Sequence, residues 1–156
     1  MTPYRCTAPY DWGAIFALLW AEFAYMDGVV DPPSSLTRLT EAEIAGQAER
    51  GEVWAIGLPP VACVFFTYKA DALYIGKLAV SAQHRRKGLA SALMAVAEAR
   101  AHALGLAALE LQTRVELVEN HLTYLAMGFV ETGRSAHPGY DRPTSVTYRK
   151  RLAKEP

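Results

Sequence analysis

Tyr74-Ile75-Gly76-Lys77-Leu78-Ala79-Val80-Ser81-Ala82-Gln83-His84-Arg85-Arg86-Lys87-Gly88-Leu89-Ala90-Ser91-Ala92-Leu93-Met94 is the stretch on which the architecture turns. Its first part is rich in aromatic and β-branched residues and predicts the end of a strand running from Ala72 to Val80. Gly76, alone inside that strand, marks a bulge or a close backbone approach. A short polar loop then leads into Arg85-Arg86-Lys87-Gly88-Leu89-Ala90, and a long helix begins at once. A strand-to-helix turn of this kind is an anion cradle. The first N–H groups of a helix lack intrahelical partners and point along its axis, where the dipole also favours negative charge. Gly88 and Ala90 keep bulk away from that backbone, and the basic side chains add longer-range attraction. The turn is neither a phosphate-binding lysine loop nor a dinucleotide fingerprint, because the second glycine followed by Lys-Ser/Thr and the Gly-x-Gly-x-x-Gly run are both missing.

Downstream, the helix runs from Gly88 to Leu104 with Leu89, Leu93, Val96 and Ala97 on one stripe and Gly105 just past its end. Leu106 to Thr113 alternates as a strand. Val118 to Met127 predicts a second amphipathic helix whose buried stripe is Val118, Leu122 and Leu125. Phe129 to Thr132 and Thr144 to Lys150 predict closing strands around a polar loop, Gly133 to Pro143. Upstream, Tyr4 to Thr7 is a short strand, and Asp11 caps a helix with Phe16, Leu19, Trp20 and Phe23 at helical spacing. Gly28 to Ser35 forms a loop, Thr40 and Glu43 open a helix to about Arg50 as a capping box, and Glu52 to Ile56 and Val61 to Tyr68 are strands. This order predicts one α/β domain: a mixed, mostly antiparallel sheet of roughly six or seven strands with helices on both faces.

Composition narrows the function. The chain has 16 basic and 16 acidic residues, and a duplex-binding domain shows a clear basic excess, so a nucleic-acid module resting on His84 to Lys87 alone is disfavoured. Cys6 and Cys63 have no ligand spacing, so packing residues in a reducing compartment are expected, with neither a disulfide nor a metal. The start carries no basic region followed by an apolar stretch, and the most apolar segment, Ala14 to Met26, contains Glu22 and falls short of the about 20 residues a bilayer demands. A cytoplasmic protein without a membrane partner is expected.

The hexad at residues 85–90, read as Arg/Gln-x-x-Gly-x-Gly/Ala, resembles the signature of the GNAT superfamily of N-acetyltransferases. Gly76 to Val80 resembles that family's fourth strand, and Asn120-His121-Leu122-Thr123-Tyr124-Leu125-Ala126-Met127-Gly128-Phe129 resembles its late Asn…Tyr-x-x-x-Gly-Phe element. The resemblance implies acetyl-CoA as cosubstrate. Its diphosphate would lie on Arg85, Arg86, Lys87, Gly88, Leu89 and Ala90, and its pantetheine arm on the main chain of Leu78, Ala79 and Val80, in a gap where the fourth and fifth strands part. The Leu78 N–H would polarise the thioester carbonyl. The acceptor would be a small-molecule or peptide amine attacking directly, without a covalent enzyme intermediate. Members often pair through sheet edges or helices, so a homodimer is an expectation of the resemblance alone.

Such a reaction needs a neutral amine, a stabilised carbonyl oxygen and a proton for the leaving thiolate. At a pKa near 10.4 only about one amine in 2,500 is neutral at pH 7. Tyr124 matches the family's tyrosine near the cofactor sulphur and is the candidate acid, with core packing as the alternative role; His121 is a weaker candidate. Asn120 departs from the commonest spacing, in which asparagine lies seven residues before the tyrosine, where Leu117 stands here; it either caps the helix or bonds the cofactor. Histone-type members carry a glutamate base where this chain has Tyr74. Glu22, Glu110 and Glu116 are the remaining candidate bases, beside a water chain or an amine of low pKa. The missing strand glutamate also motivates a catalytically silent acyl-CoA-binding regulator. Segments 25–36 and 134–142 flank the acceptor side, and their Asp27, Asp31 and Asp141 suit a cationic amine.

Overall fold

The computed structural model describes residues 1–26 and 28–153, so Asp27 and the last three residues lie outside the described residues. In chain order the elements are β1 (Tyr4–Arg5), α1 (Trp12–Phe23), α2 (Glu41–Arg50), β2 (Glu52–Ile56), β3 (Ala62–Tyr68), β4 (Ala72–Val80), α3 (Leu89–Ala103), β5 (Ala108–Arg114), α4 (Val118–Ala126), β6 (Val130–Ser135) and β7 (Ser145–Arg151). Single 3₁₀ turns at Ala24–Met26, Ser35–Arg38 and Ala82–His84 fill the connections. The caps lie where short polar residues demanded them: Asp11 Oδ1 accepts from Ala14 N at 3.3 Å and Thr40 Oγ1 from Glu43 N at 3.2 Å.

The strands form one sheet in the order β1-β2-β3-β4-β5-β7-β6. Every neighbouring pair is antiparallel except β4 and β5, which are parallel and joined through α3. Parallel neighbours need a crossover, and the helix that follows the basic turn supplies it. The fold is thus the mixed, mostly antiparallel α/β architecture expected. Its two faces carry separate cores. Ile15, Leu18 and Leu19 of α1 and Ile44 of α2 pack on Val53, Ala55, Cys63 and Phe65. On the other face Leu93, Met94 and Ala97 of α3 pack on Val64, Phe66, Leu73, Ile75, Leu109 and Leu111.

The alternation of β4 breaks where Gly76 stands. Phe65 pairs with Gly76 but Cys63 pairs with Ala79, so β4 carries one extra residue there, with Lys77 at a φ of 50°. The bulge shifts side-chain parity. Leu73 and Ile75 face the α3 core, and beyond the bulge Leu78 and Val80 take over that face while Ala79 turns to the α1 side.

Several expectations are corrected. In α1 the buried residues are Ile15, Leu18 and Leu19, whereas Trp20 is 49% exposed and stacks on Phe16. In α4 the predicted stripe is inverted: Val118, Leu122 and Leu125 are 61%, 64% and 49% exposed. The helix instead turns Tyr124 and Met127 to the core, where Tyr124 meets Phe129 and Tyr148. A nine-residue helix with two apolar stripes buries only one against a single sheet, and the aromatic cluster decides which. β6 runs on to Ser135, through Gly133 to Ser135 that the turn composition assigned to a loop, because β7 is long enough to pair with it. Cys6 and Cys63 are free and buried, and burial pushes the Cys6 thiol up to about 11 and the Cys63 thiol higher still. Both are packing residues in unreactive form. No described helix is long and apolar enough to cross a membrane.

One buried polar network braces the sheet. Glu52, fully buried, accepts from Arg100 Nε at 2.8 Å and Nη2 at 2.9 Å, from Trp54 at 2.8 Å and from Tyr68 at 2.8 Å. Arg100→Ala is expected to cost about 3 kcal/mol, the low end for stripping a partner from a buried ion pair, because Trp54 and Tyr68 still donate. With a urea slope of about 1–3 kcal/mol per molar, the unfolding midpoint should fall by at least ~1 M. An unchanged midpoint would show that the pair contributes nothing.

Candidate active site

β4 and β5 pair only from Ala72–Ala108 to Ile75–Leu111. Beyond that point β5 stays in register with β7 through Arg114, while β4 follows β3 across the bulge. The two strands therefore part after Ile75, and Lys77 and Leu78 have no register partner on either side. A cavity of about 810 Å³ fills the opening. Gly76, Lys77 and Leu78 line one wall, Gln112, Thr113 and Arg114 the other, and Asn120 and Tyr124 of α4 reach in between. The Ser35–Arg38 turn and His137, Pro138 and Tyr140 of the β6–β7 loop close its far side.

A second depression, about 250 Å³, is lined by Val80, His84, Arg85, Arg86, Gly88, Leu89, Ala90 and Ser91. Gly88 is the N-cap of α3 at a φ of 80°, and nothing lies within 4 Å of where its Cβ would stand. Arg86 is held at a φ of 63°, a region that costs an L side chain about 1–2 kcal/mol. Leu78 lines the first space and Val80 the second, so the end of β4 joins them over two residues, about 7 Å at the rise of a strand. A thioester arm laid along β4 with its diphosphate on the turn fits this shape.

The sequence-selected residues divide between this cleft and its supports. Leu78, Val80, Arg85, Arg86, Gly88, Leu89, Ala90, Asn120 and Tyr124 all line one space or the other. Ala79 is buried in the α1 core and Lys87 lies outside the lining of the depression. Asn120 is not the cap of α4, which is Leu117; it lines the cavity, and its Nδ2 donates to Thr113 Oγ1 at 3.4 Å. His121 Nε2 donates to the Arg114 carbonyl at 2.9 Å and its ring packs edge-on to Tyr148, which ties down the end of β5.

None of the three candidate carboxylate bases lines the cavity. Glu22 Oε2 accepts from Arg85 at 2.8 Å and Oε1 from Ala82 N at 3.2 Å, so α1 holds the basic turn in place. Glu110 alternates to the opposite side of β5 from Leu111 and pairs with Lys69 at 2.5 Å and Arg149 at 3.6 Å. Glu116 Oε2 accepts from Asp31 N at 3.1 Å, and its buried Oε1 has no hydrogen-bond partner among the described residues. Asp31 in turn accepts from Tyr140 at 2.6 Å and Arg142 at 3.0 Å, which clasps the two acceptor-side loops together.

His137 is the residue that sequence reasoning missed. Its N–H donates to Thr144 Oγ1 at 2.9 Å, its Nδ1 is hydrogen-bonded to the same hydroxyl, and that hydroxyl donates to the Ser135 carbonyl at 3.4 Å. In the tautomer where Thr144 gives its one proton to the Ser135 carbonyl, Nδ1 carries the hydrogen toward Thr144 and Nε2 is left as an acceptor. Burial, then the charges of Arg114 and Arg38, pull the imidazole below its ordinary value, with Glu116 opposing. No spacing in the chain announces this; only the loop after β6, folded back across the parted strands, brings His137 to the cavity. Tyr74, in the strand position discussed above, also lines it, and burial followed by the Glu110 charge pushes its phenol up.

The family comparisons agree with this geometry. The Acetyltransferase (GNAT) family model matches residues 8–129. Among solved structures, the ribosomal-protein-S18-alanine N-acetyltransferase of Escherichia coli is 20% identical with a TM-score of 0.75, covering 99% of this chain and 96% of that one. A GNAT family acetyltransferase from Elizabethkingia anophelis, solved with acetyl-CoA bound, is 15% identical with a TM-score of 0.68 over 97% of each chain. A GNAT family acetyltransferase from Staphylococcus aureus is 11% identical with a TM-score of 0.75, over 97% and 99%. At such identities the likeness speaks for the fold. No curated protein sequence matches the chain. With the family match covering most of its length, from α1 through the parted strands to the Gly-Phe that ends α4, the chain belongs to the GNAT acetyltransferase family.

Proposed function

We propose that the protein moves an acetyl group from acetyl-CoA to a primary amine by direct attack within the β4–β5 cleft. The observation that carries this is the path from the Gly88 turn, along the end of β4 that β5 leaves unpaired, to a cavity lined by both Tyr124 and His137. The Arg85–Ala90 turn binds the diphosphate, braced by Glu22, and the main chain of β4 beyond the bulge holds the arm. At Leu78, outside both strand ladders, the N–H faces the charge that builds on the thioester oxygen, the kind of preorganised donor that contributes most to acyl transfer.

Proton traffic is assigned to two side chains. A bond forms between the nitrogen of the neutral amine and the carbonyl carbon as the carbon–sulphur bond breaks. The nitrogen's surplus proton passes to His137 Nε2, and the Tyr124 hydroxyl proton passes to the sulphur. Solvent then returns the proton from His137 to Tyr124, so the cycle closes without net change in the protein. His137 supports the base role because it lies in the cavity, uncharged at neutral pH, where the carboxylates do not.

The test is release of free thiol from acetyl-CoA across an amine panel, beside calorimetric binding of acetyl-CoA. Binding with turnover is expected. Binding without turnover on any amine would instead favour the silent acyl-CoA-binding regulator, and absence of binding would remove both. Tyr124→Phe keeps the ring against Phe129 and Tyr148 and removes only the hydroxyl. It is expected to lower kcat about 10- to 100-fold, at or below the low end of acid catalysis, since a thiolate leaves readily. An unchanged kcat would return Tyr124 to packing alone.

A further inference from the structure

The acceptor side of the cavity is cationic. Arg38, Lys77 and Arg114 line it beside the neutral His137, and among the described lining residues none is a carboxylate. Two acids nearby, Asp31 and Glu116, stand outside that lining. Asp31 is taken by Tyr140 and Arg142, and Glu116 Oε2 by the Asp31 N–H. Arg114 Nη1 and Nη2 donate to the Pro32 and Pro33 carbonyls at 2.6 and 3.1 Å, which fixes the guanidinium plane without neutralising its charge. Two of its five N–H donors are so used, and Arg114 lines the cavity. Arg38 is exposed and makes no ion pair among the described residues, and Lys77 reaches only Ser35 Oγ at 3.5 Å. Acid-rich loops on the acceptor side would suit a cationic amine; the described lining instead carries two arginines and a lysine and no carboxylate.

We propose that the acceptor is a small anionic amine, carrying a carboxylate or phosphate on the same molecule as its amino group, and that Arg38 and Arg114 hold that anion at the far side of the cavity. This rests on the transferase reading and names its substrate class. Arginine suits the task because its planar fork meets a carboxylate or phosphate with two parallel hydrogen bonds. The same field helps the chemistry. Cations near the attacking nitrogen disfavour its ammonium form and so raise the neutral fraction that the reaction consumes, while the acceptor's own anion compensates the charge on entry. A purely cationic amine, such as a polyamine or a lysine side chain in a basic peptide, meets repulsion without that compensation.

The experiment measures thiol release with the common L-amino acids, each beside its carboxamide, and with phosphoethanolamine beside ethylamine. An anionic member of some pair is expected to exceed its neutral counterpart about 30-fold or more in kcat/KM, the scale of a charge-assisted contact, and the two series separate carboxylate from phosphate. Arg38→Gln should raise the KM of that acceptor about tenfold, and Arg38→Glu more, while the KM of acetyl-CoA, held at the other end of β4, stays put. Arg38 is tested first because Arg114→Gln also frees the Pro32–Pro33 loop. Neutral counterparts used as well as or better than the anionic amines would overturn the proposal and leave the transferase intact. The same panel is titrated into protein saturated with coenzyme A, so that binding is read apart from turnover. Equal binding of amino acids and carboxamides, or no binding of any anionic amine, overturns the proposal even if no acetyl group moves; failure of turnover with anion-selective binding removes the transferase reading alone.

Discussion

Gly88→Glu is expected to weaken acetyl-CoA binding roughly a thousandfold or more while the protein stays folded. The position is at a φ of 80° with nothing within 4 Å of the missing Cβ, so a Cβ there strikes no protein atom. The left-handed backbone costs a glutamate about 1–2 kcal/mol, which a domain with about 5–15 kcal/mol of stability survives. What the side chain does meet is the depression proposed to hold the diphosphate. A carboxylate about 5 Å from a phosphate charge, at an effective dielectric near 20, is repelled by about 3 kcal/mol. Two phosphate charges and the lost close approach to the α3 N–H groups add to that. Gly88→Ala separates the causes: it keeps the backbone strain without the charge and should cost far less affinity. Calorimetry reads the binding and thermal melting reads the fold; a folded Gly88→Glu protein with native affinity would remove the turn from the site.

Replacing His137 with glutamine should lower kcat at pH 7 by about 10²- to 10³-fold, within the usual range for general-base catalysis. The pH dependence carries the sharper signature. A base acts only when deprotonated, so kcat rises as pH climbs through its pKa. Burial, and then the Arg114 and Arg38 charges, set that pKa below the ordinary histidine value, with Glu116 pulling the other way. The acid limb of the wild-type profile should therefore lie below about 6.5, with the base fully competent at neutral pH. In His137→Gln that limb disappears. Both proteins still climb toward high pH as the free amine becomes neutral, but only the wild type carries the acid limb. Parallel profiles for the two proteins would exclude His137 as the base. Thr144→Val, which takes away the hydroxyl that orients Nδ1, should move the profile in the same direction by a smaller amount.

Local chemistry made much of this molecule legible. The basic turn, the Gly88 cap and the helix behind it are written in consecutive residues, because an anion cradle is built from backbone donors that the chain itself ends on. The Asp11 and Thr40 caps and the bounds of β2 and β4 followed from the same short-range rules. The interior glycine of β4 pointed to the bulge, because a residue without Cβ is tolerated where a strand departs from its ladder.

Where a side chain ends up across the sheet was another matter. α4 has two apolar stripes, and its periodicity selected Val118, Leu122 and Leu125, yet burying Tyr124 with Phe129 and Tyr148 outcompeted them. That same rotation brings Tyr124 to the cleft. Glu22 and Glu110 have the right chemistry for a base, but one is spent on Arg85 and the other on Lys69 and Arg149.

The sequence alone determined the element order, the anion-binding turn and the family, because hydrophobic period, capping and backbone donors are properties of neighbours along the chain. The tertiary structure decided which groups share the cavity: His137, Arg38 and Arg114 line it, and none of the candidate glutamates does. Those groups come from segments up to about a hundred residues apart, and their charge and protonation depend on burial and on which partners already occupy them. That is a sum over space that no run of adjacent residues contains.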